Sequence, residues 1–141
     1  MIRFERSPEQ VFKVITQPSQ QHQYLPHVSQ SKSVGGRTPE GEAVDLVVSF
    51  FVVSFKYRVQ HWFYPEEHRM EWNLDPTGGK GLAKHDGYFQ LYALDENTTI
   101  ADYGTRVATQ DKFLDFLRGL GERGGIEDAL TALRRHVHTA R

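Results

Sequence analysis

One histidine, His61, lies in a row of residues that otherwise carries apolar and aromatic side chains. Tyr57, Val59 and Phe63 occur at two-residue intervals around it, and residues at that spacing share one face of a β-strand. An imidazole in an apolar cavity can donate or accept a proton near neutral pH. We therefore treat His61 as a candidate acid or base. The alternative is a core histidine that is hydrogen-bonded to a neighbour or lies near solvent at the strand end.

Two tyrosines and a tryptophan combine an apolar ring with one hydrogen-bonding group. Tyr57, Trp72 and Tyr103 occur in segments with strand-like alternation, so each can point toward the interior. They would line a pocket if the interior holds one, and otherwise they would fill the space beneath the sheet. Tyr103 is the second candidate for moving a proton.

The remaining titratable residues are weaker candidates for chemistry. His85 precedes Asp86, but neighbouring residues of a strand point to opposite faces, so these two do not form a dyad. His85 faces the interior if its side of the strand is the inward one. The same alternation places Glu71 and Asp102 on the outward face, where carboxylates serve solubility.

The sequence gives poor support for a metal or nucleotide site. It contains no cysteine and no His-Glu-x-x-His motif. His136 and His138 are two residues apart on a predicted helix and do not share a face. The glycine-rich run at 78–81 lacks the preceding glycine and the following Ser or Thr of a phosphate loop. We expect no metal and no cofactor, and interpret these glycines as a flexible hairpin connection that can serve as a mobile lid.

Length and charge indicate a single soluble domain over residues 1–141. The net charge is −1 and the isoelectric point is about 6.7, which favours neither nucleic acid nor an anionic membrane as a partner. No apolar run approaches the roughly 20 residues of a membrane span, and the first residues lack a signal-peptide core. We expect a cytoplasmic protein.

The pattern along the chain indicates a short helix, a series of antiparallel strands and a helical tail. Ser7 and Gln10 can form a capping box, with Pro8 at the first helical position, which predicts a helix over 8–16. A second short helical turn is expected at 19–24, after which the periodicity changes to two. Predicted strands cover 1–5, 28–34, 42–51, 55–64, 68–74, 83–94 and 98–109.

The tail at 110–141 carries two apolar stripes. The first includes Phe113 and Leu117, and the second, from Ile126 to Val137, is rotated from it by roughly 140°. Interior glycines at the join cost roughly 1 kcal/mol each relative to alanine, which predicts a kink or break at 124–125. Either two helices pack on different surfaces, or the first spans the mouth of the sheet and the second lies in its groove.

In their order and spacing, several short motifs resemble the START-like, or SRPBCC, superfamily, which includes polyketide cyclases and dehydrases, coenzyme Q-binding START-type proteins and plant pollen allergens. The resemblance covers nearly the whole chain. The motifs are Ser7-Pro8-Glu9-Gln10-Val11-Phe12, Tyr24-Leu25-Pro26-His27-Val28, Pro65 with the following Met70-Glu71-Trp72, Gly87-Tyr88 and Thr99-Ile100. The resemblance implies an α+β helix-grip fold, in which a curved antiparallel β-sheet wraps around a long, kinked C-terminal helix and encloses a cavity.

Strand alternation and the cavity implied by the resemblance together define a set of candidate ligand-binding residues. The set comprises Phe55, Tyr57, His61, Met70, Trp72, His85, Phe89, Tyr103, Phe113 and Leu117. For the strand at 83–94 either face could line the cavity, because Tyr88 and Phe89 point to opposite sides.

Three functions remain open at this point. The first is binding or carriage of a small hydrophobic molecule such as a lipid, an isoprenoid or a polyketide. The second is a cyclase or dehydratase whose cavity folds an apolar substrate while His61 or Tyr103 moves protons. The third is a protein-interaction module, or a homodimer, formed through the sheet edge that the short first strand leaves open. We favour the binder, because the sequence guarantees at most one polar group in the cavity.

Overall fold

The computed structural model describes residues 1–50, 53–75, 82–109 and 125–139. The strands are β1 (Ile2–Phe4), β2 (Val28–Val34), β3 (Gly41–Phe50), β4 (Val53–Tyr64), β5 (Arg69–Asp75), β6 (Leu82–Asp95) and β7 (Thr98–Thr109). They form one curved seven-stranded antiparallel sheet in the order β1-β7-β6-β5-β4-β3-β2. The helices are α1 (Pro8–Ile15), α2 (Gly125–Thr139) and short 3₁₀ helices at Pro18–Gln23 and Pro65–Glu67. The helix-grip fold is confirmed, and each predicted strand bound lies within two residues of the observed one.

Helix α1 begins at the capping box that the sequence predicts. The Gln10 backbone N–H donates to Ser7 Oγ at 3.2 Å, and the Ser7 backbone N–H donates to Gln10 Oε1 at 3.0 Å. The helix buries Val11 and Ile15 against the sheet. Phe12 is only partly buried and packs at the border of the core.

Helix α2 lies against the N-terminal end of the chain. The Glu5 backbone N–H donates to His138 Nε2 at 2.9 Å, and the Arg6 guanidinium donates to the backbone carbonyl of His138. Leu133 and Val137 of the predicted second stripe are buried in the core. The expected kink at 124–125 begins at residue 124, which lies outside the described residues, as do the first stripe, with Phe113 and Leu117, and the glycine run at 78–81.

The sheet has one face that belongs to the core, and the register decides which face of β6 this is. Met70 pairs with Phe89 across β5 and β6, and both side chains are buried. Tyr92, on the opposite face of β6, is exposed. The inward set of β6 therefore includes Phe89 and His85, which answers the question that the sequence left open.

The short first strand pairs with one end of β7, through Thr99–Ala101. A homodimer built on this edge stays a prediction. Of the helices that the structure describes, none combines the length and the apolar character needed to cross a membrane.

Candidate functional site

An internal cavity of about 160 Å³ lies between the inner face of the sheet, the 3₁₀ helix at Pro18–Gln23 and helix α2. Seven of the predicted ligand-binding residues lie in its wall: Tyr57, His61, Met70, Trp72, His85, Phe89 and Tyr103. Phe113 and Leu117 are not among the described residues, and for Phe55 the structure describes the backbone in β4 but not the side chain. Whether these residues contact a ligand stays a prediction.

The roof of the cavity was missing from the sequence-based set. Tyr24, Leu25 and Val28 form one part of it, and α2 contributes Leu130 and Leu133. Strand alternation identifies residues of the sheet wall, but it carries no information about which helix covers that wall. A signal was nevertheless present, because the Tyr24-Leu25 motif and the second apolar stripe of the tail both reach the cavity.

A cluster of three aromatic rings forms the floor of the cavity. The Trp72, Phe89 and Tyr103 ring centroids lie 4.9–5.8 Å apart. The Trp72 ring covers Gly87 of the neighbouring strand: a Cβ at Gly87 would lie 2.4 Å from Trp72 Cζ2 and 2.4 Å from the backbone oxygen of Gly104. Because glycine has no side chain, the indole can lie against β6 and leave the space above it open.

His61 is the most deeply buried polar residue of the wall, with 3 % of its surface exposed. Its Nδ1 lies 3.3 Å from the backbone carbonyl oxygen of Glu42. Burial, with a smaller contribution from the nearby His85, lowers the pKa of His61 from 6.5 to about 4, although the hydrogen bond to the Glu42 backbone acts in the opposite direction. The ring is therefore neutral at neutral pH and can act as a base but not as an acid.

The two catalytic candidates are not directly joined. The Trp72 ring is a neighbour of both, at 6.5 Å from the His61 ring and 5.8 Å from the Tyr103 ring. Within the described residues no hydrogen bond connects His61 with Tyr103. A reaction that used both would require a substrate that reaches past the indole.

His85 and Asp86 lie on opposite sides of the sheet, as alternation predicts. The His85 ring packs edge-on against Tyr57 at 5.5 Å inside the cavity. Asp86 lies 3.4 Å from Arg106 and 3.9 Å from Lys84 on the outer face. Burial lowers the pKa of His85 from 6.5 to about 4, although Asp86 acts in the opposite direction. Its Nδ1 is buried and has no hydrogen-bond partner in the described part of the chain.

The other polar groups of the wall are also uncharged at neutral pH. Burial raises the pKa of Tyr24, Tyr57 and Tyr103 above the usual tyrosine value. Tyr24 stacks on the His136 ring of α2 at 4.3 Å, which joins the two parts of the roof. Among the described residues that line the cavity there is no Asp, Glu, Lys or Arg.

A second, larger depression of about 810 Å³ lies on the outer face of the sheet and is open to solvent. We call it the outer groove; it is lined by Trp62, Tyr64, Arg69, Glu71, Trp72, Asn73, Asp86, Gly87, Tyr88, Gly104, Thr105 and Arg106. The charged side chains of the outer groove form ion pairs with one another, as in the Arg69–Glu71 pair at 2.9 Å. Because these groups already have partners and the groove is open, the internal cavity is the better candidate site.

The described residues contain no group of three or more His, Asp or Glu side chains that could hold a metal ion. The described part of the cavity wall offers only aromatic surface, aliphatic surface and neutral hydrogen-bonding groups. Such a wall suits a neutral, largely apolar molecule.

The model of one protein family, described as polyketide cyclase / dehydrase and lipid transport, matches residues 2–138. No curated protein sequence matches the chain.

Solved structures share the fold at low sequence identity. A protein from Thermus thermophilus has a TM-score of 0.79 at 17 % identity, over 96 % of this chain and 92 % of that one. A START superfamily protein from Mycobacterium smegmatis has a TM-score of 0.78 at 17 % identity, over 97 % and 93 %. The Zhui aromatase/cyclase from a Streptomyces species has a TM-score of 0.77 at 15 % identity, over 97 % and 90 %. At such identities these similarities establish the fold alone.

Proposed function

Because the chain belongs to the polyketide cyclase / dehydrase and lipid transport family, we propose that it binds or carries a small hydrophobic molecule in its internal cavity. The observation that carries this proposal is the composition of the wall. Aromatic side chains from four strands surround a space with no charged residue among its described lining. A globular core of this size would normally be filled, so the retained space favours a bound molecule over simple packing.

Native mass spectrometry of the protein as purified from cells tests the proposal, followed by solvent extraction and identification of anything bound. We expect a co-purifying neutral organic molecule at near-unit stoichiometry. The same spectrum reports whether the chain is a monomer or a dimer.

Two variants of α2 provide a matched comparison for this experiment. Ala129 lines the cavity, whereas Thr131 is exposed and does not. Ala129→Phe should fill the cavity and abolish co-purification, while Thr131→Phe should retain the molecule. Equal occupancy in both variants would place the molecule elsewhere, and an empty wild-type protein that also fails to take up added apolar compounds would contradict the proposal.

A cyclase or dehydratase activity is the second candidate, and one observation favours it. His61 is neutral, faces the cavity and can accept a proton. The similarity to the Zhui aromatase/cyclase agrees with such a role but rests on the fold. If the protein dehydrates its ligand, His61→Gln should co-purify with a molecule heavier by one water than the molecule from the wild type. Identical extracted masses would count against catalysis by His61.

A further inference from the structure

The size of the cavity limits its occupant. Its volume is about 160 Å³, whereas sites for drug-sized ligands span about 300–1,000 Å³. An engineered apolar cavity of about 150 Å³ in another protein holds one benzene molecule. The space bounded by the described residues therefore accommodates a single ring with small substituents.

The absence of charge in the described wall limits the occupant further. A carboxylate or phosphate inside would have no Arg or Lys partner among the described lining residues. Burial of an unpaired ion in such an environment costs several kcal/mol or more, so an anionic group would be excluded or protonated. The described part of the wall therefore selects neutral molecules.

The hydrogen bond that His61 makes determines which of its two ring nitrogens faces the cavity. A carbonyl oxygen can only accept, so the contact between His61 Nδ1 and the Glu42 carbonyl requires the proton on Nδ1. The ring is neutral at neutral pH because of its burial, so Nε2 carries a lone pair. His61 therefore offers a hydrogen-bond acceptor to the cavity.

His85 offers the opposite group. Its Nδ1 is buried without a partner in the described chain. An unpaired buried N–H is rarer in proteins than an unpaired buried acceptor, so Nδ1 is best assigned as the lone-pair nitrogen and Nε2 as the N–H. The wall then contains one imidazole that accepts and one that donates.

From these observations we infer that the occupant is a neutral single-ring molecule carrying a hydroxyl group, and that this hydroxyl donates a hydrogen bond to Nε2 of His61. The inference rests on the proposed binding function and specifies its ligand class. A hydroxyl suits the wall better than a carbonyl or an ether, because it can donate to His61 and also accept from a donor such as His85. A ligand without a donor would leave the His61 acceptor buried and unpaired.

A series of ring compounds that differ in one group tests the inference on the wild-type protein. The series is toluene, p-methylanisole, p-cresol and p-toluate, titrated by NMR near neutral pH. These compounds carry no polar group, an acceptor only, a hydroxyl and a negative charge, respectively. One added hydrogen bond is worth roughly a fivefold to tenfold gain in affinity. We expect p-cresol to bind more tightly than toluene and p-methylanisole by that factor, and p-toluate to bind most weakly.

His61→Phe removes the acceptor and keeps an aromatic ring of similar size. In this variant p-cresol should lose its advantage over toluene, while toluene binding shows that fold and cavity persist. If the variant does not fold, nitrogen NMR of isotope-labelled histidine in the wild type provides the second readout. It should show His61 with the proton on Nδ1, and addition of p-cresol should shift the Nε2 resonance.

The outcomes separate the inference from the proposed function. Equal affinities for p-cresol, p-methylanisole and toluene, a proton on Nε2 of His61, or tight binding of p-toluate would overturn the inference while leaving cavity binding intact. Failure of every compound to bind, together with an empty protein from cells, would overturn the binding function itself.

Discussion

The two faces of the sheet differ in how their polar side chains are accommodated. On the inner face, the polar groups that line the cavity, among them His61, His85 and Tyr103, are neutral. On the outer face, the polar groups are charged and paired, as in Arg58–Asp45 at 2.7 Å and Arg106–Asp86 at 3.4 Å. The inner face therefore has hydrogen-bonding capacity left for a ligand, whereas the outer face uses most of its capacity internally.

Each face also holds one aromatic ring over a glycine of the next strand. Inside, Trp72 covers Gly87; outside, the Tyr88 ring lies over Gly104 and its hydroxyl donates to Asp102. The difference lies in what surrounds the glycine. Gly87 is also confined by the backbone of β7, whereas Gly104 meets only the Tyr88 side chain among its nearest neighbours. The comparison indicates a rigid inner floor and an adaptable outer surface.

Acidification should produce the largest effect, and it should act through the inner face. The pKa of His61 and of His85 is about 4 in the folded protein and about 6.5 in the unfolded chain. Between these pH values the unfolded state binds more protons, so stability falls as the pH drops from about 6.5 to about 4. The loss is about 3 kcal/mol for each histidine, measurable by urea denaturation at a series of pH values.

Variants of single histidines show which residue causes the pH dependence of stability. His61→Gln cannot take up the proton and should remove roughly half of the loss between pH 6.5 and pH 4. His85→Gln should remove the other half of the loss. An unchanged slope in His61→Gln would mean that the inner histidines do not drive acid unfolding.

Substitution of the two covered glycines, Gly87 and Gly104, should have the next largest effect on stability. A Cβ at Gly87 would approach a backbone oxygen of β7 at 2.4 Å, and neither the backbone nor the enclosed indole can move freely. We expect Gly87→Ala to lower the free energy of unfolding by about 3 kcal/mol and to weaken ligand binding. Gly104→Ala should cost less than about 1 kcal/mol, because the Tyr88 ring can move into solvent. Thermal denaturation of both variants measures the two losses of stability. Equal losses would contradict the account of a rigid inner floor and an adaptable outer surface.

Substitutions at two adjacent residues of β5, Met70 and Glu71, should have the smallest effects on stability. Met70 is buried and points inward, whereas Glu71 points outward and pairs with Arg69. Met70→Gln should cost about 2 kcal/mol, since it buries an amide without a partner. Glu71→Gln should change stability by less than about 0.5 kcal/mol, because a solvent-exposed ion pair contributes little. If Glu71→Gln were the more harmful of the two, the assignment of the faces would be wrong.

The sequence predicted the sheet because each strand carries its own evidence. Alternation located His61, Tyr57 and Met70 on one face, and the capping box at Ser7 located the start of α1. The roof could not be predicted in this way, since the contact of Tyr24 with His136 depends on how two distant segments pack.

The protonation state and the tautomer of the polar groups could not be predicted from the sequence either. The burial that keeps His61 neutral depends on all the elements around it. Its tautomer depends on the Glu42 carbonyl, which the register of β3 and β4 brings opposite the ring. Alternation could place His61 inside, but it could not identify the nitrogen that faces the cavity.

The two tryptophans of the chain offer the most direct test of the central claim, that the inner face holds the ligand site. Trp72 is 8 % exposed and lines the cavity as well as the outer groove, whereas Trp62 is 42 % exposed and lines the outer groove but not the cavity. Fluorine NMR of protein labelled with fluorotryptophan gives one resonance for each. Titration with p-cresol should shift the Trp72 resonance and leave that of Trp62 in place. A shift of the Trp62 resonance would place binding on the outer face and contradict the account.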